Sequence, residues 1–301
     1  MTTAPGAARR FAYSTVDVFT DRRFGGNPLA VFTDAEGLSD AEMQALAAEM
    51  NYSETTFVLP PADGANDARV RIFNPTAEMP FAGHPNVGTA YVLAGLREGC
   101  GDVLRFEETA GLVTVRLRRD AGNPVGAEID APQSLQRLGE LPVPPLAACV
   151  GLDERDFVTD THAPVRATVG VDFIIAQVAA DAIGRAAPDI AAFRAALALV
   201  EGDSERLSLF LYAREGNTIR ARMFAPLAGT WEDPATGSAN ATLAALLLDC
   251  DGGDEARFES VQGVEMGRPS TLSLSARRVD GWIYASVGGD CVPMFRGEAV
   301  L

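Results

Sequence analysis

Along the first 120 residues the apolar positions change period several times, and each change marks an element. Ser14–Phe19 (STVDVF) alternates apolar and polar residues, which predicts a strand, and Leu29–Phe32 predicts a short second one. Ser39–Met50 reads as a helix: Ser39 followed by Glu42 makes a capping box, and Met43, Leu46, Ala47 and Met50 share one face. Tyr52–Leu59 returns to strand spacing, with Glu54 near its start on the face of Thr56 and Val58. Residues 69–73, Val103–Phe106 and Leu112–Leu117 predict three further strands. Between them Phe73–Gly95 (FNPTAEMPFAGHPNVGTAYVLAG) runs from a strand end through a Pro- and Gly-punctuated turn into a helix. Val87 and Ala90–Ala94 leave that helix almost no polar face, and such a helix is buried.

Gly122–Ile129 then leads into a segment holding Pro132, Pro142, Pro144 and Pro145, which predicts irregular structure and a domain boundary. Beyond it the order of elements returns. Val171–Ile174 resembles Val16–Phe19, and Ile190, Phe193, Leu197 and Val200 make a second amphipathic helix. Leu207–Leu211 matches Glu54–Val58, with Phe210 answering Phe57, and Arg222–Pro226 matches Arg71–Pro75. Asp233–Asn240 (DPATGSAN) answers Met79–Asn86 (MPFAGHPN): the pairs Pro80/Pro234, Gly83/Gly237 and Asn86/Asn240 share an offset of 154 residues. Ala241–Leu248 follows as another helix with hardly a polar face. The pattern predicts two similar halves, each a sheet wrapped on a buried apolar helix, with the two helix N-termini as natural ligand sites.

The copies differ where chemistry is expected. Glu54 falls opposite Leu207 in this alignment, Met79 opposite Asp233, and His84 opposite Ser238. The two halves together then supply two carboxylates, one imidazole and one hydroxyl. Singly each has a bland reading: a solvated strand acid, an Asp-Pro turn, a Gly-His-Pro helix start. The loop Asp21–Pro28 (DRRFGGNP) is equally readable as a plain turn or as a site lining.

Composition narrows the chemistry. The chain has 301 residues and a net charge of −16, a field that repels nucleic acid and anionic membranes, so neither is an expected partner. All 25 basic residues are arginine, which removes Schiff-base and Walker-type phosphate-loop mechanisms. Cys100, Cys149, Cys250 and Cys291 form no CxxC and read as reduced structural thiols of a cytoplasmic protein. Two distant histidines, His84 and His162, give no common zinc spacing, and a metal site of carboxylates alone stays possible but has no support in the sequence, so no metal is expected. The first eleven residues have no apolar run and read as a frayed tail, not a signal peptide.

FGGNPLAVF (24–32), NYSETTF (51–57), FNPTAEMPFAGHPNVGTA (73–90) and MFAPLAGTWEDPATGSANATLA (223–244) together resemble the phenazine-biosynthesis PhzF family, relatives of diaminopimelate epimerase and proline racemase. The resemblance implies an α+β, diaminopimelate epimerase-like fold of two pseudo-symmetric domains, each a mostly antiparallel sheet rolled around a central apolar helix. It places one domain at residues 1–130 with 287–301 returning to it, the other at 131–286, and implies a homodimer. Epimerases of this superfamily use one thiol from each half; neither loop here holds a cysteine, which points to the carboxylate chemistry of the PhzF branch. The resemblance makes Glu54, His84 and Asp233 the catalytic residues, with Gly83, Gly237 and Ser238 holding a carboxylate-bearing substrate. The implied reaction is a cofactor-free isomerisation resembling that of trans-2,3-dihydro-3-hydroxyanthranilate isomerase, with Glu54 shuttling the proton. A non-catalytic binding protein on the same fold and a Ser238-based hydrolase are the alternatives; Ser238 lies outside the strained G-x-S-x-G elbow that a hydrolase of that type needs.

Overall fold

The computed structural model of the chain describes residues 8–97, 99–199 and 207–301. They form two compact units: one holds the chain through Arg23, Pro28–Ala127 and Asp290–Leu301, the other Phe24–Asn27 and Glu128–Gly289.

The first unit contains β1 (Arg10–Val18), β2 (Asn27–Phe32, from Pro28 on), α1 (Asp40–Met50), β3 (Glu54–Leu59), β4 (Ala68–Phe73), β5 (Glu78–Met79), α2 (Gly83–Leu96), β6 (Val103–Glu108) and β7 (Gly111–Asp120). Strand β2 runs parallel to β3, β3 antiparallel to β4, β4 antiparallel to β5 and parallel to β6, and β6 antiparallel to β7. The Ser39–Glu42 capping box is present at the start of α1. The chain's first described residues are not frayed: Arg9 exchanges backbone hydrogen bonds with Leu301, and β1 pairs from Arg10↔Val300 onward. Residues 1–7 lie outside the described residues.

The period of two in β3 sorts its side chains between two layers. Phe57 faces α1, stacking on Phe32 at 4.9 Å and edge-on to Phe73 at 5.4 Å, in a cluster with Met43 and Ala47. Thr56 faces the other way, its hydroxyl 2.9 Å from that of Thr89 on α2. Glu54 shares the parity of Thr56. Helix α2 is buried nearly all round, as its sequence predicted. It packs closely enough that a Cβ on Gly88 would lie 2.6 Å from Leu29 Cδ2 and 2.8 Å from Val18 Cγ2.

The second unit takes only Glu128–Asp130 of β8 and Trp282–Gly289 of β17, the longer part of each strand belonging to the first unit, and it repeats that topology. Its remaining elements are β9 (Gln136–Glu140), α3 (Val143–Val150), β10 (Val165–Thr168), β11 (Asp172–Gln177), α4 (Ile190–Ala196), β12 (Leu209–Glu215), β13 (Thr218–Ala225), β14 (Thr230–Asp233), α5 (Gly237–Asp251), β15 (Glu255–Gln262) and β16 (Ser270–Val279); β8 is Asn123–Asp130 and β17 is Trp282–Val300. Strand β11 is parallel to β12, β12 antiparallel to β13, β13 antiparallel to β14 and parallel to β15, and β15 antiparallel to β16. The same local device recurs as well. Arg71 forks onto Glu78 and lies 5.1 Å from the Phe73 ring; Arg222 forks onto Glu232 and lies 4.8 Å from the Phe224 ring. Helix α5, like α2, is buried almost throughout, with Leu243 and Leu246–Leu248 fully enclosed.

Four expectations change. Pro142, Pro144 and Pro145 do not break the chain: Pro142 caps α3, and the other two sit in its first turn. There the missing N–H has no intrahelical acceptor to lose, so proline costs nothing. The register of the repeat also shifts. Phe73 pairs with Thr55 and Phe224 with Leu209, so Phe210 answers Thr56, and Glu54 falls opposite Ser208, not Leu207. Parity agrees, because Leu209 and Leu211 join the cluster that also holds α3 and α4 residues while Phe57 faces α1. Finally, Val171–Ile174 leads into β11, the counterpart of β2, and does not correspond to Val16–Phe19. The second amphipathic helix ends earlier than its apolar spacing suggested: α4 gives way to a tighter turn at Leu197–Leu199, and Val200 lies outside the described residues.

Candidate active site

In the first unit the structure brings Glu54 and His84 together. Glu54 opens β3 on the face turned toward α2, and His84 is the second residue of α2; Glu54 Oε2 lies 3.2 Å from His84 Nδ1. The imidazole is buried, and desolvation pushes its pKa down to about 3 against a hydrogen bond to the Pro28 backbone. Burial therefore keeps His84 neutral, with the Glu54 carboxyl beside it. His84 Nε2 is buried and finds no hydrogen-bond partner among the described residues. The N-cap position of α2, Ala82, supplies no side-chain cap, leaving the N–H groups of Gly83 and His84 at an uncompensated helix N-terminus. Asn86 turns its amide back to the Ala82 carbonyl at 3.0 Å and closes the turn from within.

The second unit holds the corresponding turn. Asp233 ends β14, and Gly237 and Ser238 open α5, whose N-cap residue Thr236 also makes no side-chain cap. Asn240 repeats the Asn86 contact, reaching the Thr236 carbonyl at 3.0 Å. Ser238 is half-buried, and its hydroxyl has no partner among the described residues. The Asp233 carboxylate is fixed on both oxygens: Asn27 Nδ2 donates to Oδ1 at 2.9 Å and Thr236 Oγ1 to Oδ2 at 2.6 Å. Beneath the turn lies Gln262, fully buried. Its Nε2 donates to the Asp233 carbonyl and to Thr236 Oγ1 at 2.8 and 3.0 Å; its Oε1 accepts from Thr236 N and Asn240 Nδ2 at 3.1 and 2.9 Å. The result is a relay of oriented donors, Gln262 to Thr236 to Asp233.

Asn27, Thr236 and Gln262 were not singled out in the sequence. Asn27 lies in the GGNP loop, whose Gly25 and Gly26 carbonyls accept from Arg268 at 2.8 and 2.9 Å, so the loop is a built part of the second unit and not a plain turn. The second histidine is structural: His162 bonds the Tyr212 hydroxyl at 2.8 Å and the Ala163 carbonyl at 2.7 Å. All four cysteines are free, none of them in the two turns.

Asp233 accepts from Asn27 and Thr236, and His84 Nδ1 lies against Glu54. What the first unit offers is a carboxyl and a neutral imidazole 3.2 Å apart at a buried helix terminus, groups of the type used in general acid–base chemistry.

Comparison with known proteins gives the family. Residues 16–297 match the family described as phenazine biosynthesis-like protein, PhzC-PhzF. An uncharacterized isomerase of Mesorhizobium japonicum is 37% identical over 298 residues, covering 95% of this chain and 97% of its own. The trans-2,3-dihydro-3-hydroxyanthranilate isomerase of Pseudomonas fluorescens is 35% identical over 299 residues, covering 96% and 99%. A Bacillus anthracis phenazine biosynthesis protein of the PhzF family superposes with a TM-score of 0.85 at 24% identity, covering 97% of this chain and 100% of that one. No helix among the described residues is long and apolar enough to cross a membrane. With its doubled α+β architecture and a match running over nearly its whole length, the chain belongs to the PhzC-PhzF family of isomerases and has the diaminopimelate epimerase-like fold.

Proposed function

We propose that the protein shifts a double bond within a small, cyclic, carboxylate-bearing substrate by moving one proton, without a cofactor, and that Glu54 carries that proton. The observation that supports this most directly is the Glu54–His84 pair, 3.2 Å apart at the mouth of a buried helix, with a neutral imidazole. In the reading, the Glu54 carboxylate takes a proton from a carbon beside a double bond, and the electron pair left behind enters the conjugated system. The carboxylic acid so formed returns the proton to a second carbon on the same face, and Glu54 is a carboxylate again. No electron is gained or lost overall. A general base of this kind is worth about 10²–10⁴ in rate.

His84 and Asp233 polarise or protonate the substrate's substituents, and the Nε2 of His84, which lacks a partner among the described residues, is the group suited to it. Gly83, Gly237 and Ser238 hold the carboxylate with helix N-terminal N–H groups and the free hydroxyl. The substrate class follows from the curated relatives: a trans-2,3-dihydro-3-hydroxyanthranilate-like dihydroaromatic amino acid. The protein works in the cytoplasm as a homodimer, which light scattering would check.

The test is solvent-deuterium exchange into trans-2,3-dihydro-3-hydroxyanthranilate or a related dihydroaromatic acid. Wild type is expected to wash deuterium into the ring, and Glu54→Gln to abolish this while unfolding at the wild-type temperature. Equal exchange in the two would remove Glu54 from the mechanism; binding without exchange in wild type would make the protein a ligand-binding relative.

A further inference from the structure

The two units solve one structural problem with different residues. In each, a turn opening a buried helix carries an asparagine that folds back onto it: Asn86 in the first, Asn240 in the second. Under the second turn lies Gln262, which presents a donor on one side and an acceptor on the other.

The sheet pairing identifies the residue under the first turn. Arg71 and Arg222 are equivalent, so Ala68 answers Ile219. Ala68 lies opposite Phe106, and Ile219 opposite Ser260. Two residues further on, Glu108 occupies the position of Gln262.

Glu108 is a strange tenant for that place. Both carboxyl oxygens are buried, and neither makes a hydrogen bond of normal geometry. Burial pushes its pKa up to about 8, with Asn86 the single side chain acting against that; no arginine, histidine or second carboxylate contributes. Its neighbour Glu107 points elsewhere, bound to the N–H groups of Ala62 and Asp63 and to Asn66. The charged groups of α2's first turn amount to His84, which is neutral. The β6–β7 turn beside Glu108 is itself strapped to the site turn, since Ala110 N donates to the Pro80 carbonyl at 3.1 Å. A neutral carboxylic acid offers what a glutamine amide offers, one donor and one acceptor; a carboxylate offers acceptors alone. Asn86 Oδ1 is buried and lacks a donor among the described residues, the complement of an acid O–H.

We propose that Glu108 is a positioning residue that works as a protonated acid, holding Asn86 and through it the Pro80–His84 turn, the task Gln262 performs in the second unit. Ionisation places an unpaired charge beneath the turn and releases His84 from its place. The kinetic part of this rests on the Glu54–His84 reading above; the structural part does not.

The sign of the linkage is definite. The folded state binds the Glu108 proton more tightly than the unfolded chain, so this residue makes stability fall as pH rises from about 4.5 to about 8, and contributes no further change above that. Glu108→Gln removes the titration and keeps both hydrogen-bonding functions. Relative to wild type, the folding equilibrium constant of Glu108→Gln is therefore expected to rise by roughly tenfold per pH unit across that window. A difference that stays flat with pH overturns the proposal. At neutral pH the infrared carbonyl band of a buried neutral carboxylic acid is expected in wild type and absent in Glu108→Gln; identical spectra also overturn it. In turnover, wild type is expected to lose activity above about pH 8, Glu108→Gln to keep it, and Glu108→Ala to be impaired at every pH. Should wild type and Glu108→Gln both be inactive on the substrates above while the stability and infrared results hold, the assigned reaction is wrong and Glu108's role stands.

Discussion

Gln262→Ala tests the second unit's relay most severely. Gln262 makes four hydrogen bonds and is fully buried, but its partners do not lose equally. Asn240 Nδ2 keeps its bond to the Thr236 carbonyl, and Thr236 Oγ1 still donates to Asp233. The Thr236 N–H and the Asp233 carbonyl, by contrast, lose the partner that the structure gives them. A buried backbone group left unpaired costs about 1–3 kcal/mol, and two of them with the lost packing come to about 3–5 kcal/mol. In a unit of this size each kcal/mol lowers Tm by about 2–4 °C, so the expected loss is about 10 °C. Differential scanning calorimetry reads it directly. Gln262→Glu adds a second dimension: its carboxyl would replace the Nε2 donor that faces the Asp233 carbonyl, so the variant should lose stability steadily as pH rises and the group ionises. A Tm within about 2 °C of wild type for Gln262→Ala, or a pH-independent penalty for Gln262→Glu, would show that the relay does not hold the Asp233 turn.

Two further perturbations probe the first unit. Gly88→Ala should destabilise by about 1–2 kcal/mol, because its methyl group meets Leu29 and Val18 inside van der Waals distance while helix propensity returns about 1 kcal/mol; an unchanged urea midpoint would refute the tight packing of α2. His84 should make the protein acid-sensitive: its folded pKa is about 3 against an ordinary 6.5, so the unfolded state binds more protons between those values and stability falls as pH drops through that window. His84→Gln should flatten that part of the Tm–pH curve, and a curve that keeps its wild-type slope would contradict a neutral, buried His84.

Much of the architecture was legible in the chain because it depends on local periodicity. The apolar runs Val87–Ala94 and Ala241–Leu248 have no polar face to offer water, so each must sit inside a sheet. The Ser39–Glu42 capping box is a local hydrogen-bond exchange, visible in four residues. The shared 154-residue offset of Pro, Gly and Asn aligned the two turns, and β14 pairing Asp233 with Met223 as β5 pairs Met79 with Ile72 places them equivalently.

What the chain could not tell was register and partnership, because both depend on which strands meet. A slip of one residue moved the counterpart of Glu54 from Leu207 to Ser208, since a strand's alternation looks the same in either register until its neighbour is known. Pro144 and Pro145 read as breakers because nothing local distinguishes a helix's first turn from a loop; the tertiary packing of Leu146, Cys149 and Val150 decides it. Asp233, Asn27 and Gln262 stand far apart in sequence, and no spacing rule links them. Glu54 and His84 were each visible as residues of the right type; only the parallel pairing of β2 with β3, which sets the face Glu54 presents to α2, brought the two candidates into contact. The sequence determined which residues can do chemistry and which helices must be buried; the fold decided which of those groups lose water together, and that loss is what makes His84 neutral and keeps the Glu108 proton in place.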